Sequence, residues 1–220
     1  MSVQENLSQI NNQLQGRTKL LAVSKTKPVE LIKEAYELGQ MDFGENKVQD
    51  LYEKAQDLES LAGLRWHFIG TLQSNKINKL LSVPGLYAIH SIDSLKLLKK
   101  LLKREISSEV RIYLQVNTSG ENEKSGFENF EDLEHAVRIL KEQEVWKLTG
   151  LMTIGSIRAQ DFEKAAQASF GLLRDYKQKL DQKYDLDLEL SMGMSQDFKI
   201  AMEYGSDWVR IGTQIFGSRE

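Results

Sequence analysis

Lys25 follows the short apolar run Leu20-Leu21-Ala22-Val23 and one hydroxyl residue, Ser24. A lysine desolvated in the mouth of a barrel has its pKa lowered, and its neutral amine can form a Schiff base with an aldehyde. Taken alone, the same lysine reads more simply as a strand-end side chain pointing to water. A second group of residues changes the balance. Ser191-Met192-Gly193-Met194-Ser195 and Arg210-Ile211-Gly212-Thr213 supply hydroxyls, small residues for close backbone approach, and a cation. That mixture suits a phosphate, and a short helix after Ser195 would turn free N–H groups toward an anion. Gly-rich turns are the plain alternative.

Other chemistry is thinner. The spacing Gly212 to Gly217 copies part of a nucleotide P-loop, but Ser218 stands where the lysine belongs, which rejects it. His67, His90 and His135 show no H-x-x-x-H or H-E-x-x-H spacing, so no metal site is expected. His67 reads as a hydrogen-bonded core histidine before it reads as a site residue. Met192 and Met194 fill gaps or pack on a ligand. Lys96, Lys99, Lys100, Lys103 and Arg104 mark the solvated face of a helix. The polar stretch Thr118–Gly126, with Lys124 as an extra cation, reads as a mobile loop or a lid.

These residues need a scaffold that gathers them. Short β-rich runs at Leu20–Ser24, Met41–Gly44, Arg65–Ile69, Leu86–His90, Val110–Asn117, Lys147–Met152, Leu186–Ser191 and Trp208–Ile211 alternate with stretches of helical spacing. The helical stripes are Leu31, Ile32, Ala35 and Leu38; Leu51, Ala55 and Leu58; Leu95, Leu98, Leu101 and Leu102; and Phe170, Leu173 and Leu180. Pro28 suits the first turn of its helix and Gly39 its left-handed cap. Strand–helix alternation implies an α/β fold with parallel strands and right-handed crossovers. Eight such units close into a (β/α)₈ TIM-type barrel, with an open doubly wound sheet as the competitor. Only eight residues follow Gly212, so an extra N-terminal helix bearing Val3, Leu7, Ile10 and Leu14 is expected to cover the missing outer helix. In such barrels the C-terminal strand ends form the active face, and phosphate sites recur after strands seven and eight. A closed barrel sets strand one beside strand eight, so Lys25 faces the cup.

Composition narrows the function classes. The chain has 220 residues, 40% apolar and 28% charged, enough for one barrel domain over 1–220. Lys and Arg total 29 against 32 Asp and Glu, so the basic excess of a nucleic-acid binder is absent. There is no Cys, which removes disulfides, thiolate nucleophiles and Cys-based zinc sites. No apolar run exceeds four residues and the start lacks signal-peptide features, so a soluble cytoplasmic protein is expected, with no membrane partner.

The segments Ala22-Val23-Ser24-Lys25-Thr26-Lys27-Pro28, Phe43-Gly44-Glu45-Asn46 and His67 through Lys76 carry a wider likeness. So do Gln115-Val116-Asn117, Lys124-Ser125-Gly126, Gly150 through Ile154, Leu190 through Phe198, and Val209 through Gly217. In this order, over nearly the whole chain, they resemble the pyridoxal 5′-phosphate (PLP) homeostasis proteins, the YggS/PROSC group. The resemblance implies a barrel like the N-terminal domain of alanine racemase (PLP fold type III), with PLP held as a Schiff base on Lys25. Ser195, Gly212 and Thr213 match phosphate-binding positions. Arg210 matches the arginine that faces the pyridine nitrogen in the racemase, with a phosphate contact as the alternative. Asn46 lies in a segment that borders the cofactor in relatives, and Lys47 departs from their usual aromatic residue or Arg.

Three functions compete. The family is regarded as lacking firm catalytic activity, which implies a carrier that buffers PLP in vitamin B6 homeostasis and delivers it to apoenzymes. A small PLP-dependent amino-acid racemase is the alternative, but racemases take a second acid/base from a C-terminal β-domain and this sequence ends at Glu220. A Schiff-base aldolase acting on a sugar phosphate also fits a barrel lysine beside a phosphate cup. The carrier reading leads: a PLP-binding protein without efficient turnover, expected as a monomer.

Overall fold

The β-rich runs pair in chain order into a closed parallel barrel: β1 (Lys19–Val23), β2 (Asp42–Glu45), β3 (Arg65–Phe68), β4 (Leu86–Ile92), β5 (Val110–Gln115), β6 (Trp146–Met152), β7 (Glu189–Met194) and β8 (Trp208–Ile211). The computed structural model describes residues 2–121, 124–155 and 159–217, so Ser218 of the rejected P-loop and the end at Glu220 lie outside the described residues. Ala22 of β1 is paired with Phe43 of β2 on one side and with Ile211 of β8 on the other. That closure excludes the open doubly wound sheet.

Helices follow the strands and cover the barrel: α1 (Val3–Leu14), α2 (Val29–Glu37), α3 (Val48–Asp57), α4 (Ile77–Leu81), α5 (Leu95–Leu101), α6 (Phe130–Lys141), α7 (Phe162–Tyr184), α8 (Phe198–Glu203) and α9 (Thr213–Phe216). Pro28 is the N-cap of α2, one position ahead of the first turn, and Gly39 just past it takes φ +94. At α1 the Ser2 hydroxyl and the Glu5 carboxylate form a reciprocal capping box. The buried stripe Val3, Leu7, Ile10 and Leu14 joins the main core, and Asn6 donates to the Ile215 carbonyl at 2.9 Å. The N-terminal helix therefore packs against α9, α2 and β1, covering the side where the outer helix after β8 is only one turn long. Among the described residues, no helix is long and apolar enough to cross a membrane.

β7 is displaced furthest from its sequence expectation. β7 begins at Glu189, three residues after the expected Leu186. Asp185 caps α7 in the left-handed conformation, Leu186 N–H returns to the Asp181 carbonyl, and Leu188 N–H bonds the Asp181 carboxylate. The helix end thus consumes the first part of the apolar run, and the strand continues through Met194.

The barrel interior differs from its outer shell. Leu21, Ala88, Tyr113, Met152 and Trp208 form a small apolar cluster of their own. Around it lie buried polar side chains. Arg65 grips Asp42 with two bonds of 2.6 Å, and His67 Nε2 lies 3.0 Å from Asp42 Oδ1. His67 Nδ1 meets His90 Nε2 at 2.9 Å, and His90 Nδ1 meets Ser191 Oγ at 2.9 Å. His67 is thus the core histidine the sequence suggested. Nearby, Glu189 accepts from Tyr113, Trp208 and Lys19, and it and burial push the Tyr113 hydroxyl's pKa far up.

Candidate functional site

The C-terminal ends of β1, β2, β3, β7 and β8 open onto a cavity of about 790 Å³, within the range of roughly 300–1,000 Å³ typical of small-molecule sites. Lys25, Asn46, Ser195, Arg210, Gly212 and Thr213 all line it. Lys27 adds a cationic side chain, and Ile69, Ile154, Met194 and Phe162 add apolar wall.

Lys25 occupies a tight turn. Lys27 N–H bonds the Ser24 carbonyl at 3.0 Å, which places Lys25 and Thr26 at the two central positions. Thr26 has φ +66, a left-handed conformation that costs a non-glycine residue about 1–3 kcal/mol. The turn is held from below. The Lys54 ammonium on α3 donates to the Ser24 carbonyl at 2.9 Å and to Glu45 Oε1 at 2.6 Å, while the Ser24 hydroxyl donates to the same oxygen at 2.8 Å. Glu45 is 0% and Lys54 12% exposed, and among the described residues Glu45 Oε2 has no hydrogen-bond partner. Burial pushes the Glu45 carboxyl upward, against the downward pull of Lys54.

Arg210 lines the cavity and is buried. Its Nη1 donates to the Ser191 carbonyl at 2.7 Å and the Ser191 hydroxyl at 3.0 Å, and its Nη2 donates to the Thr153 carbonyl at 2.8 Å. These bonds use three of the five guanidinium N–H groups. Burial pushes its pKa down to about 10, with Asp197 opposing, so Arg210 is still a cation at neutral pH.

The cup is formed by the loops after β7 and β8, which Gln214 ties together by donating to the Ser195 carbonyl at 2.9 Å. Asp197 is buried at the N-cap of α8, and its carboxylate accepts the Met194 N–H at 2.5 Å. The helix expected to turn free N–H groups toward an anion begins at Phe198, and the Asp197 side chain caps none of its N–H groups; Ser195, Gly212 and Thr213 line the cavity. Two glycines make the close approaches. A Cβ on Gly212 would come within 2.8 Å of the Val23 carbonyl, and one on Gly70 within 2.0 Å of the Asn46 carbonyl.

Lys124 is not among the lining residues. Its ammonium bonds Glu121 at 3.0 Å and the Gly155 carbonyl at 3.1 Å. Residues 122 and 123 of the Thr118–Gly126 loop lie outside the described residues, and with them the lid reading. Lys47 is exposed at the N-cap of α3. Sequence reasoning gave no role to Glu45, Lys54 or Asp197. Lys54 carries no local signal, because a lysine in an amphipathic helix ordinarily reads as solvated.

The whole chain, residues 1–220, matches the family model described as alanine racemase, N-terminal domain. The chain belongs to that family. It is 41% identical to the pyridoxal phosphate homeostasis protein of Schizosaccharomyces pombe, over 96% of this chain and 89% of that protein. PipY of Synechococcus elongatus PCC7942 has been solved without PLP and with PLP bound. The PLP-bound structure superposes with a TM-score of 0.88 at 35% identity, covering 98% of this chain and 100% of that one. Alanine racemase from E. faecalis shares the fold at a TM-score of 0.76 and 17% identity, over 99% of this chain and 59% of the racemase.

The buried pair beneath Lys25 yields a stability prediction. Glu45→Ala strands the Lys54 ammonium and should cost about 3–5 kcal/mol in urea unfolding. Glu45→Leu combined with Lys54→Met removes both charges and should recover most of that loss. A Glu45→Ala protein as stable as the parent would contradict the pairing.

Proposed function

We propose that this barrel, one domain over residues 1–220, holds PLP covalently on Lys25 in the cytoplasm. It buffers the cofactor and passes it to apoenzymes without efficient turnover of its own. The observation that carries this reading is the convergence of Lys25, Arg210 and the Ser195–Gly212–Thr213 cup on one cavity. PLP is an anionic aromatic aldehyde, and the donor set fits each part of it. The ε-amine suits the aldehyde, the hydroxyls and backbone of the cup suit the phosphate, and Ile69, Ile154, Met194 and Phe162 suit the ring faces. Relatives named as homeostasis proteins, and PipY with PLP bound, support the same reading.

When bound, PLP supplies an electron-withdrawing ring joined to a reactive aldehyde carbon. The Ser24–Lys27 turn, fixed by Lys54 and Glu45, presents the Lys25 amine to the cavity. Ser195 and Thr213 orient the phosphate. Arg210, kept positive by its buried carbonyl partners, disfavours a second positive charge on a ring nitrogen placed beside it, which weakens the ring as an electron sink. A racemase also needs acid/base groups on both faces of the substrate carbon. The weakened electron sink favours retention and release of the cofactor over chemistry on it.

Charge-assisted hydrogen bonds contribute roughly 1.5–3 kcal/mol each, so Ser195→Ala and Thr213→Val should each weaken PLP binding by about 10- to 150-fold. Pyridoxal without phosphate should bind wild type poorly; equal affinity for the two would show the cup to be misplaced.

Turnover is read separately. PLP-loaded protein incubated with L- and D-alanine and a wider amino-acid panel in deuterated water should exchange the α-hydrogen only slowly. PLP should still reach an added apoenzyme in the presence of a trap for free PLP. Rapid exchange that disappears in Lys25→Ala would favour the racemase.

A further inference from the structure

We propose that Asp42, His67, His90 and Ser191 form a one-way hydrogen-bond relay that positions Arg210 in the cavity. The links run from β2 through β3 and β4 across the barrel to β7 and then β8. They are Asp42 to His67 at 3.0 Å, His67 to His90 at 2.9 Å, His90 to Ser191 at 2.9 Å and Ser191 to Arg210 at 3.0 Å.

The chemistry of the two ends sets the direction. Asp42 is held as a carboxylate by the two bonds from Arg65, and its carboxyl lies below the ordinary value although burial opposes this. A carboxylate only accepts, so His67 must carry its proton on Nε2. Burial lowers the pKa of both imidazoles, against the upward pull of Asp42 and Glu189 on His67 and with His67 and Arg210 acting in the same sense on His90; the relay takes both rings as neutral. Neutral His67 then accepts at Nδ1, which requires the His90 proton on Nε2. His90 in turn accepts at Nδ1, and the hydroxyl of Ser191 is the donor. Arg210 can only donate, and the Ser191 oxygen offers it a lone pair.

The reverse direction fails at both ends. It would set a His67 lone pair against the Asp42 carboxylate and leave the buried Ser191 proton without an acceptor. Tyr113, stacked on His90 at 4.0 Å and 12°, fixes that ring's plane, and Trp208 and Tyr87 pack on His67. Glu189, near His67, is already engaged by Lys19, Tyr113 and Trp208.

The consequence for the site rests on the PLP reading. With its proton committed to His90, Ser191 holds Nη1 of Arg210 by both its oxygens, and Thr153 holds Nη2. The guanidinium plane is thereby fixed at the cavity wall. Asp42, His67, His90 and Ser191 are positioning residues in this scheme, because they act through Arg210.

The test has two arms. With three histidines in the chain, long-range ¹H–¹⁵N correlation on PLP-free protein at neutral pH can assign each tautomer. His67 and His90 should both be neutral with the proton on Nε2; a proton on Nδ1 of either, or a cation, would overturn the relay. The second arm reads the visible absorption and PLP dissociation constant of loaded variants. A glutamine amide presents an acceptor and a donor much as the imidazole does, so His90→Gln should stay near wild type. His90→Leu and Ser191→Ala should shift the band and weaken PLP binding by about tenfold, the loss of one hydrogen bond. If His90→Leu and His90→Gln behave alike, the cluster is packing and the positioning role is refuted. Wild-type protein that takes up no PLP would instead sink the PLP reading, and the tautomers would still decide the relay.

Discussion

The hydrogen-bonded seam between β1 and β8, with Leu21 opposite Arg210 and Ala22 opposite Ile211, is the constraint on which the site depends. Lys25 and the cup are separated by most of the chain, yet closure makes their strands neighbours. Parallel pairing also delivers the C-terminal ends of both strands to the same mouth. Gly212 permits the close approach, since a side chain there would strike the Val23 carbonyl. Without closure, the amine and the cup would lie at opposite edges of an open sheet.

Closure also creates an interior that must be filled. Much of it is filled by polar groups: Asp42, His67, His90, Ser191 and Arg210 are buried and Glu189 partly buried, each with specific partners. A buried charge is tolerated only when paired, and packing apolar residues in its place is often as stable. The polar filling is therefore better explained by what it does to Arg210 than by stability. The Glu45–Lys54 pair under the Lys25 turn follows the same pattern, and there the strain of Thr26 at φ +66 shows how firmly the turn is set.

Much of this was legible in the sequence where local pattern coincides with tertiary role. Trp208–Ile211 matches its strand end to end, and the N-terminal stripe Val3, Leu7, Ile10 and Leu14 is buried as its spacing required. The six site residues converge because strand ends in a parallel barrel share one face. Other features were invisible for physical reasons. The β7 boundary depended on Asp185 adopting a left-handed cap, which no apolar pattern announces. Lys54 faces inward on a helix whose charged residues look solvated. The His90–Ser191 contact joins residues 101 positions apart, and only closure brings them together.

Lys25 is proposed as the residue that carries the cofactor. Wild-type protein saturated with PLP, reduced with borohydride, digested and mapped by mass spectrometry addresses it directly. The reduced adduct is expected on the peptide containing Lys25, and should be lost in Lys25→Ala. An adduct on Lys27 or Lys47, or tight PLP binding with no adduct, would contradict it.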